Sequence, residues 1–331
     1  MTRQLIPCLL VLSSLAKAFR MLSVLNVIAP VFILIGLGYL AVRVKFYPRA
    51  GVGGLIAYVN NFATPCLLFR AMIDVDFSTA FNFSIIGPFY AGAISVLALG
   101  AIGAARVFKR RPGEAVAVGF SAMFTNTVLV GIPIMQRAYG DQAMPIVYSI
   151  IGLHAPVLMT IGMFVMELAR RDGGKVSTAL FQGLKKSLAN PILIGIALGL
   201  LANLLGFELS GVADEVTLLL AGTVMPVALF GLGGALNDYK LGETWTQALM
   251  TSSMQLVVHP AIAWVIMVPI LGVDPHIARY GVLLAAMPAG INVYIFATFY
   301  NRAMDVAANT ILLSTVLSVF TITGWLLLLG A

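Results

Sequence analysis

Two stretches of the chain carry the residues with the most chemical promise. Thr125-Asn126-Thr127-Val128-Leu129-Val130-Gly131-Ile132-Pro133 and Ala286-Met287-Pro288-Ala289-Gly290-Ile291-Asn292-Val293-Tyr294 each set a proline, a glycine and an asparagine within about eight residues, inside an apolar run. Proline removes an amide donor and clashes with the preceding turn, and glycine relaxes the backbone, so an unwound segment is expected in both. A broken helix presents a half-helix N-terminus, whose free amides and partial positive charge favour an anion. Asn126 and Asn292 can each donate and accept hydrogen bonds. Two such N-termini and two asparagines suit a small carboxylate bound without a buried lysine or arginine. The candidate binding set is Asn126, Thr127, Gly131, Pro133, Pro288, Gly290, Asn292 and Tyr294. The competing reading makes the breaks kinks that ease helix packing, with the asparagines as glue between helices.

Other polar residues inside apolar runs are few. His154, Gln255 and His259 are expected to face the interior. Histidine titrates near neutral pH, which leaves a proton relay open, but hydrogen bonding to a neighbouring helix is the favoured role. Asn60 and Asn61 read as packing contacts. No acidic residue lies deep in a run, and Glu114 and Glu167 sit near run ends. A sodium site made of carboxylates is therefore not expected. Were these runs to carry a solute across a membrane, a facilitator driven by the solute gradient and the membrane potential is expected, with coupling to protons or sodium as the alternative. An enzyme would need a nucleophile with its base, or a metal cluster. The three histidines, His154, His259 and His276, lie on separate segments, and Cys8 and Cys66 lack metal-ligand spacing. No catalysis, metal or cofactor is expected. A channel or a ligand-sensing protein remains as a competitor, the latter without a loop long enough for a signalling module.

The elements that position these residues follow from composition. Of 331 residues 60% are apolar and only 10% charged, where a soluble domain has about a quarter charged. Ten runs are long and apolar enough to be membrane helices, at 22–42, 52–72, 82–105, 114–136, 143–166, 188–206, 214–236, 246–271, 279–300 and 306–329, here segments 1 to 10. Continuous runs exclude the alternating strands of a membrane barrel. Lys and Arg concentrate on odd-numbered loops, with fourteen there against Arg70, Arg137 and Arg279 on even ones. Odd loops are thus expected in the cytoplasm and both termini outside. The net charge of +7 is spread over short loops, so no nucleic-acid surface is expected.

Residues 1–20, with Arg3, the apolar stretch 5–15 and Ala16-Lys17-Ala18, read either as signal-like or as a start assigned too early, with Met21 as the true beginning. The rest divides into a first five-helix repeat at 21–168, a basic cytoplasmic linker at 169–187 and a second repeat at 188–331. The repeat shows in the prolines. Pro30 and Pro65 recur as Pro191 and Pro226, both 161 residues later, and glycines Gly38 and Gly199 follow the first pair at equal distance. Five helices per repeat is an odd number, so the second half must be inverted in the membrane, which is the arrangement of secondary transporters.

The stretches Leu25-Asn26-Val27-Ile28-Ala29-Pro30, Asn61-Phe62-Ala63-Thr64-Pro65, Gly131-Ile132-Pro133 and Met287-Pro288-Ala289-Gly290-Ile291-Asn292-Val293-Tyr294 resemble the auxin efflux carrier family, which includes plant carriers and bacterial malonate or malate permeases. The resemblance covers about 22–330. It implies an all-α polytopic membrane protein, with ten transmembrane helices as two inverted five-helix repeats and helices 4 and 9 broken and crossed. It implies a homodimer in a bacterial inner membrane, with segments 1, 2, 6 and 7 as scaffold and the rest moving as an elevator for a small organic anion. Plant members carry a long central loop where this chain has only 169–187. They also have an acidic residue followed closely by lysine after segment 2. Asp76 stands at about that place, as a gating candidate, but no lysine follows it closely.

Overall fold

The computed structural model describes residues 5–74, 81–169, 189–239 and 241–330. Asp76, residues 170–187 of the linker and Lys240 lie outside them. The described residues are helical throughout, joined by short turns, with no strand beyond one isolated bridge. Seven stretches are long and apolar enough to cross a membrane, which makes this an integral membrane protein. Three of the ten sequence runs fall outside those seven. Segment 6 is described as a 14-residue helix, Pro191–Leu204. Segments 4 and 9 are interrupted, as Pro112–Met123 with 127–139 and as Pro275–Ala285 with Asn292–Tyr300.

Local chemistry sets the helix ends. Asn82, Asn190 and Asp274 each accept a backbone amide two residues on, and Pro191 and Pro275 occupy first-turn positions where a missing N–H costs nothing. The first helix runs unbroken from Leu5 to Arg43 and takes in the 5–20 stretch.

Side-chain bonds sort the segments into two sets. In the first, Arg49 pairs with Asp238, and Arg70 Nη1 reaches Asp214 Oδ1 at 2.6 Å, so segment 2 is tied to segment 7 at both ends. Between these ties the Tyr58 hydroxyl lies 3.0 Å from Thr223 Oγ1, and Asn203 on segment 6 donates to Ile73 O. Segment 1 joins this set by close packing. A Cβ added to Gly38 would lie 2.0 Å from Phe230 O, and one added to Gly233 1.9 Å from Ile35 O, so the two backbones touch. The equivalent contact on the other side puts Gly199 against Phe69 O at 2.5 Å. Small residues of this kind let membrane helices approach closely.

The second set holds segments 3, 4, 5, 8, 9 and 10. Tyr90 Oη donates to Ile150 O at 2.8 Å, Thr251 and Thr310 share a hydroxyl contact of 2.8 Å, and the rings of Phe120 and Phe296 stack at 3.8 Å. At the end with odd loops, Arg110 Nε donates to Gln247 and the guanidinium approaches Glu114 and Asp305.

Proline leaves carbonyls without their helical donor, and distant side chains take them up. Pro260 cannot bond the Leu256 carbonyl one turn back, and Trp325 Nε1 donates to it at 2.9 Å from segment 10. An interior carbonyl stripped of its partner costs about 1–3 kcal/mol. Trp325→Phe is therefore expected to destabilise the fold by about that amount, seen as a lower thermal unfolding midpoint in detergent; an unchanged midpoint would show that the bond contributes nothing.

Candidate functional site

The two interruptions meet. Segment 4 unwinds at 124–126, where Phe124 and Asn126 leave the helical region, and segment 9 unwinds at 286–291. Thr125 and Ala289 form an antiparallel bridge. Asn126 N donates to Pro288 O at 2.7 Å and Gly290 N to Phe124 O at 3.2 Å. Backbone groups freed by unwinding are thus largely used on each other, as a low-dielectric interior requires. Ser314 of segment 10 adds an acceptor for Ala289 N at 3.0 Å.

In segment 4 the unwinding lies earlier than Gly131 and Pro133 indicate. Those two sit where a wide π-turn, Thr127–Gly131, passes into the helix Ile132–Tyr139. The Asn126 side chain explains the shift. Its Oδ1 accepts from Leu129 N at 3.0 Å and starts the second half-helix there, while the main chain of the same residue is held by Pro288. In segment 9 Pro288 and Gly290 lie within the unwound stretch.

Beside the bridge lies a cavity of about 180 Å³. This is below the roughly 300–1,000 Å³ of pockets for drug-sized ligands, so it has room only for a small molecule. Asn126, Thr127, Gly290 and Asn292 line it. Gly131, Pro133 and Pro288 do not; they shape the backbone behind it. Tyr294 points elsewhere, its ring 5.9 Å from that of Tyr239.

Three features of the cavity were not anticipated. Asn60 and Asn61 line it, although they read from sequence as packing contacts. They fall in a π-turn, Val59–Ala63, just before Pro65; the widened turn re-aims side chains that a regular helix would place differently. The start of segment 6 also lines it, with Asn190 and Pro191. Asn190 followed by proline is a helix-start signal that could have been read, but its partner in space could not. The third is that His154, expected in the interior and bonded to a neighbouring helix, makes that bond at the cavity itself, its Nε2 3.1 Å from Thr125 O in the unwound stretch.

His259 lies outside the cavity. Its Nε2 donates to Phe89 O at 2.9 Å, and the Phe89 ring packs against both histidines, at 5.8 Å from His154 and 5.1 Å from His259. Gln255 is fully buried and outside the cavity too.

Three helices therefore begin at the cavity, the half-helices at Thr127 and Asn292 and the segment 6 helix at Pro191, each bringing an N-terminal partial positive charge to it. Among the described residues no lysine, arginine, aspartate or glutamate lines it. Amides, hydroxyls and helix dipoles without a fixed charge suit a small anion. Among the described residues no cluster of side chains could hold a metal ion.

Residues 23–326 match the profile of the family described as "Membrane transport protein". A protein of Rhizobium meliloti (strain 1021) named "Putative malonate transporter" is 28% identical over 317 residues, which is 93% of this chain and 97% of that protein. An "Uncharacterized transporter" of Methanothermobacter thermautotrophicus is 24% identical, covering 89% of this chain and 95% of its own. "Auxin efflux carrier component 8" of Arabidopsis thaliana is 22% identical, covering 92% and 97%.

Proposed function

The chain belongs to the membrane transport protein family, and from that premise we propose that it is a secondary carrier of small organic anions, carboxylates above all. The observation that carries this reading is the bridged pair of breaks, Thr125 with Ala289, beside a cavity entered by three helix N-termini and lined by Asn126 and Asn292. The name of the Rhizobium relative agrees with a dicarboxylate.

The architecture in this proposal is ten helices in two inverted repeats, 21–168 and 188–331, with segments 4 and 9 crossing at their breaks. The packing supports it: Gly38 against Phe230 and Gly199 against Phe69 are the same contact shifted by 161 positions in both partners. The two bonded sets of segments supply the parts of an elevator. Segments 1, 2, 6 and 7 stay fixed, as the core of a homodimer, while the other six carry the solute. The protein lies in a bacterial inner membrane, with both termini outside and the linker in the cytoplasm. Transport is facilitated, moved by the solute gradient and by a potential worth about 2.3 kcal/mol per charge and 100 mV.

A thermal-shift screen of the purified protein with mono- and dicarboxylates, neutral solutes and organic cations tests the reading. A bound ligand raises stability by mass action, by about 2.7 kcal/mol at a hundred times its Kd. At least one small carboxylate is expected to raise the unfolding midpoint. A clear response to a cation or a neutral solute, with none to any carboxylate, rejects the anion proposal.

A further inference from the structure

Two hydrogen bonds cross from one set of segments to the other through a single side chain. Arg137, in the last turn of Ile132–Tyr139, donates from Nε to Val27 O at 3.0 Å and from Nη2 to Asn26 O at 2.6 Å on segment 1. Asn26 O is open because the residue four positions on, Pro30, lies inside the helix and has no N–H to give it. Among the described residues no carboxylate pairs with Arg137. The guanidinium fork is spent on two successive carbonyls of a neighbouring helix, and its charge makes both bonds stronger than neutral ones. The side chain is exposed, so water competes for it and the tie can be broken.

Its place matters as much as its chemistry. Arg137 stands next to the turn between segments 4 and 5, at the end that carries even-numbered loops, and Asn26 is at that same end of segment 1. The solute cavity is lined instead by residues of segments 2, 4, 5, 6 and 9, Asn60, Asn126 and Asn190 among them, and by neither Arg137 nor Asn26. Arg137 thus ties the two sets together at the even-loop end and outside the cavity.

We propose that Arg137 is a latch: it holds the second half of segment 4 against segment 1 in the state described here, and it must let go before the site can be exposed at the even-loop end. Pro30 keeps the acceptor open. The inference rests on the proposal that the two sets move against each other during transport, and it adds the residue that sets the balance between states. A tie present in one state and absent in the other shifts their populations by its own strength.

The test uses a full chain with Cys8 and Cys66 replaced by alanine, and a reporter cysteine introduced by Ile134→Cys. Ile134 is fully buried one turn from Arg137. Labelling of the introduced thiol by a membrane-impermeant maleimide is followed in proteoliposomes. Arg137→Gln is expected to speed labelling at least tenfold, with Arg137→Lys in between. Pro30→Ala, which gives Asn26 O a competing amide, is expected to move labelling the same way, although it removes a helix breaker. A second reporter, Leu158→Cys, is also fully buried but lies on segment 5, and its labelling should stay unchanged. Unchanged labelling at the first reporter in Arg137→Gln overturns the latch. Equal acceleration at both reporters overturns it too, since that is general loosening. Faster labelling at the first alone, unaffected in every protein by malonate and the other carboxylates of the screen, leaves the latch standing and counts against the anion reading instead.

Discussion

Asn126→Ala should abolish carboxylate stabilisation of the purified protein and reduce carboxylate uptake into proteoliposomes at least tenfold. The magnitude follows from what the amide does. In the proposed complex its Nδ2 faces an anion in a buried cavity, and a hydrogen bond to a charged group contributes about 1.5–3 kcal/mol. That is roughly a ten- to hundred-fold loss of affinity. The same change removes the Oδ1 acceptor of Leu129 N, a helix-start contact worth about 0.5–2 kcal/mol of stability. Asn126→Asp separates the two effects. Its carboxylate can still accept from Leu129 N, so the half-helix start is kept, but a negative charge at the cavity repels an anion. It should fold near the wild-type midpoint and respond to no carboxylate. Wild-type affinity in Asn126→Asp would remove the site from the position proposed.

A second large effect is expected where segments 1 and 7 touch. Gly233→Ala places a methyl 1.9 Å from Ile35 O and close to Tyr39 N, atoms of a backbone that cannot swing aside as a side chain can. The helices must separate, and the contacts around them, among Ile35, Val42, Val52 and Ala235, lose their fit. Overpacking of this kind costs about 1–3 kcal/mol, occasionally more. Gly233→Ala should accordingly lower the thermal midpoint clearly, while Gly36→Ala, three positions away from that contact's Tyr39 and with open space at its Cβ, should be neutral or slightly stabilising in a helix. Equal midpoints for the two variants would show that the close approach is not a constraint.

Much of this was legible in the sequence, for identifiable reasons. Apolar runs give helices because lipid offers the backbone no partners. Proline, glycine and asparagine mark where a helix stops satisfying itself, and the structure interrupts segments 4 and 9 and pairs the interruptions. Gly38 and Gly199, 161 positions apart like the prolines, each approach a phenylalanine carbonyl. The failures have a common cause, which is that sequence patterns report on one helix at a time. Where in segment 4 the unwinding falls depends on Pro288, a residue from the other half of the chain. Asn60 and Asn61 reach the cavity through a π-turn that hydrophobic periodicity does not encode. His154 and His259 look alike in sequence, yet His154 bonds Thr125 of the unwound stretch and borders the cavity, while His259 bonds Phe89 O outside it. Tyr294, two residues after Asn292, turns toward Tyr239.

The carbonyls left open by Pro30 and Pro260 bear on biogenesis. The carbonyls of Asn26 and Leu256 have no amide one turn on in their own helices, and the donors that reach them, Arg137 and Trp325, belong to segments 4 and 10, which are made later. Neither early helix can complete its own bonding, so each is left needing one particular late arrival. The prolines thereby write part of the order of assembly into the backbone, and a chain truncated before segment 10 would hold segment 8 with an unanswered polar group among lipid-facing helices.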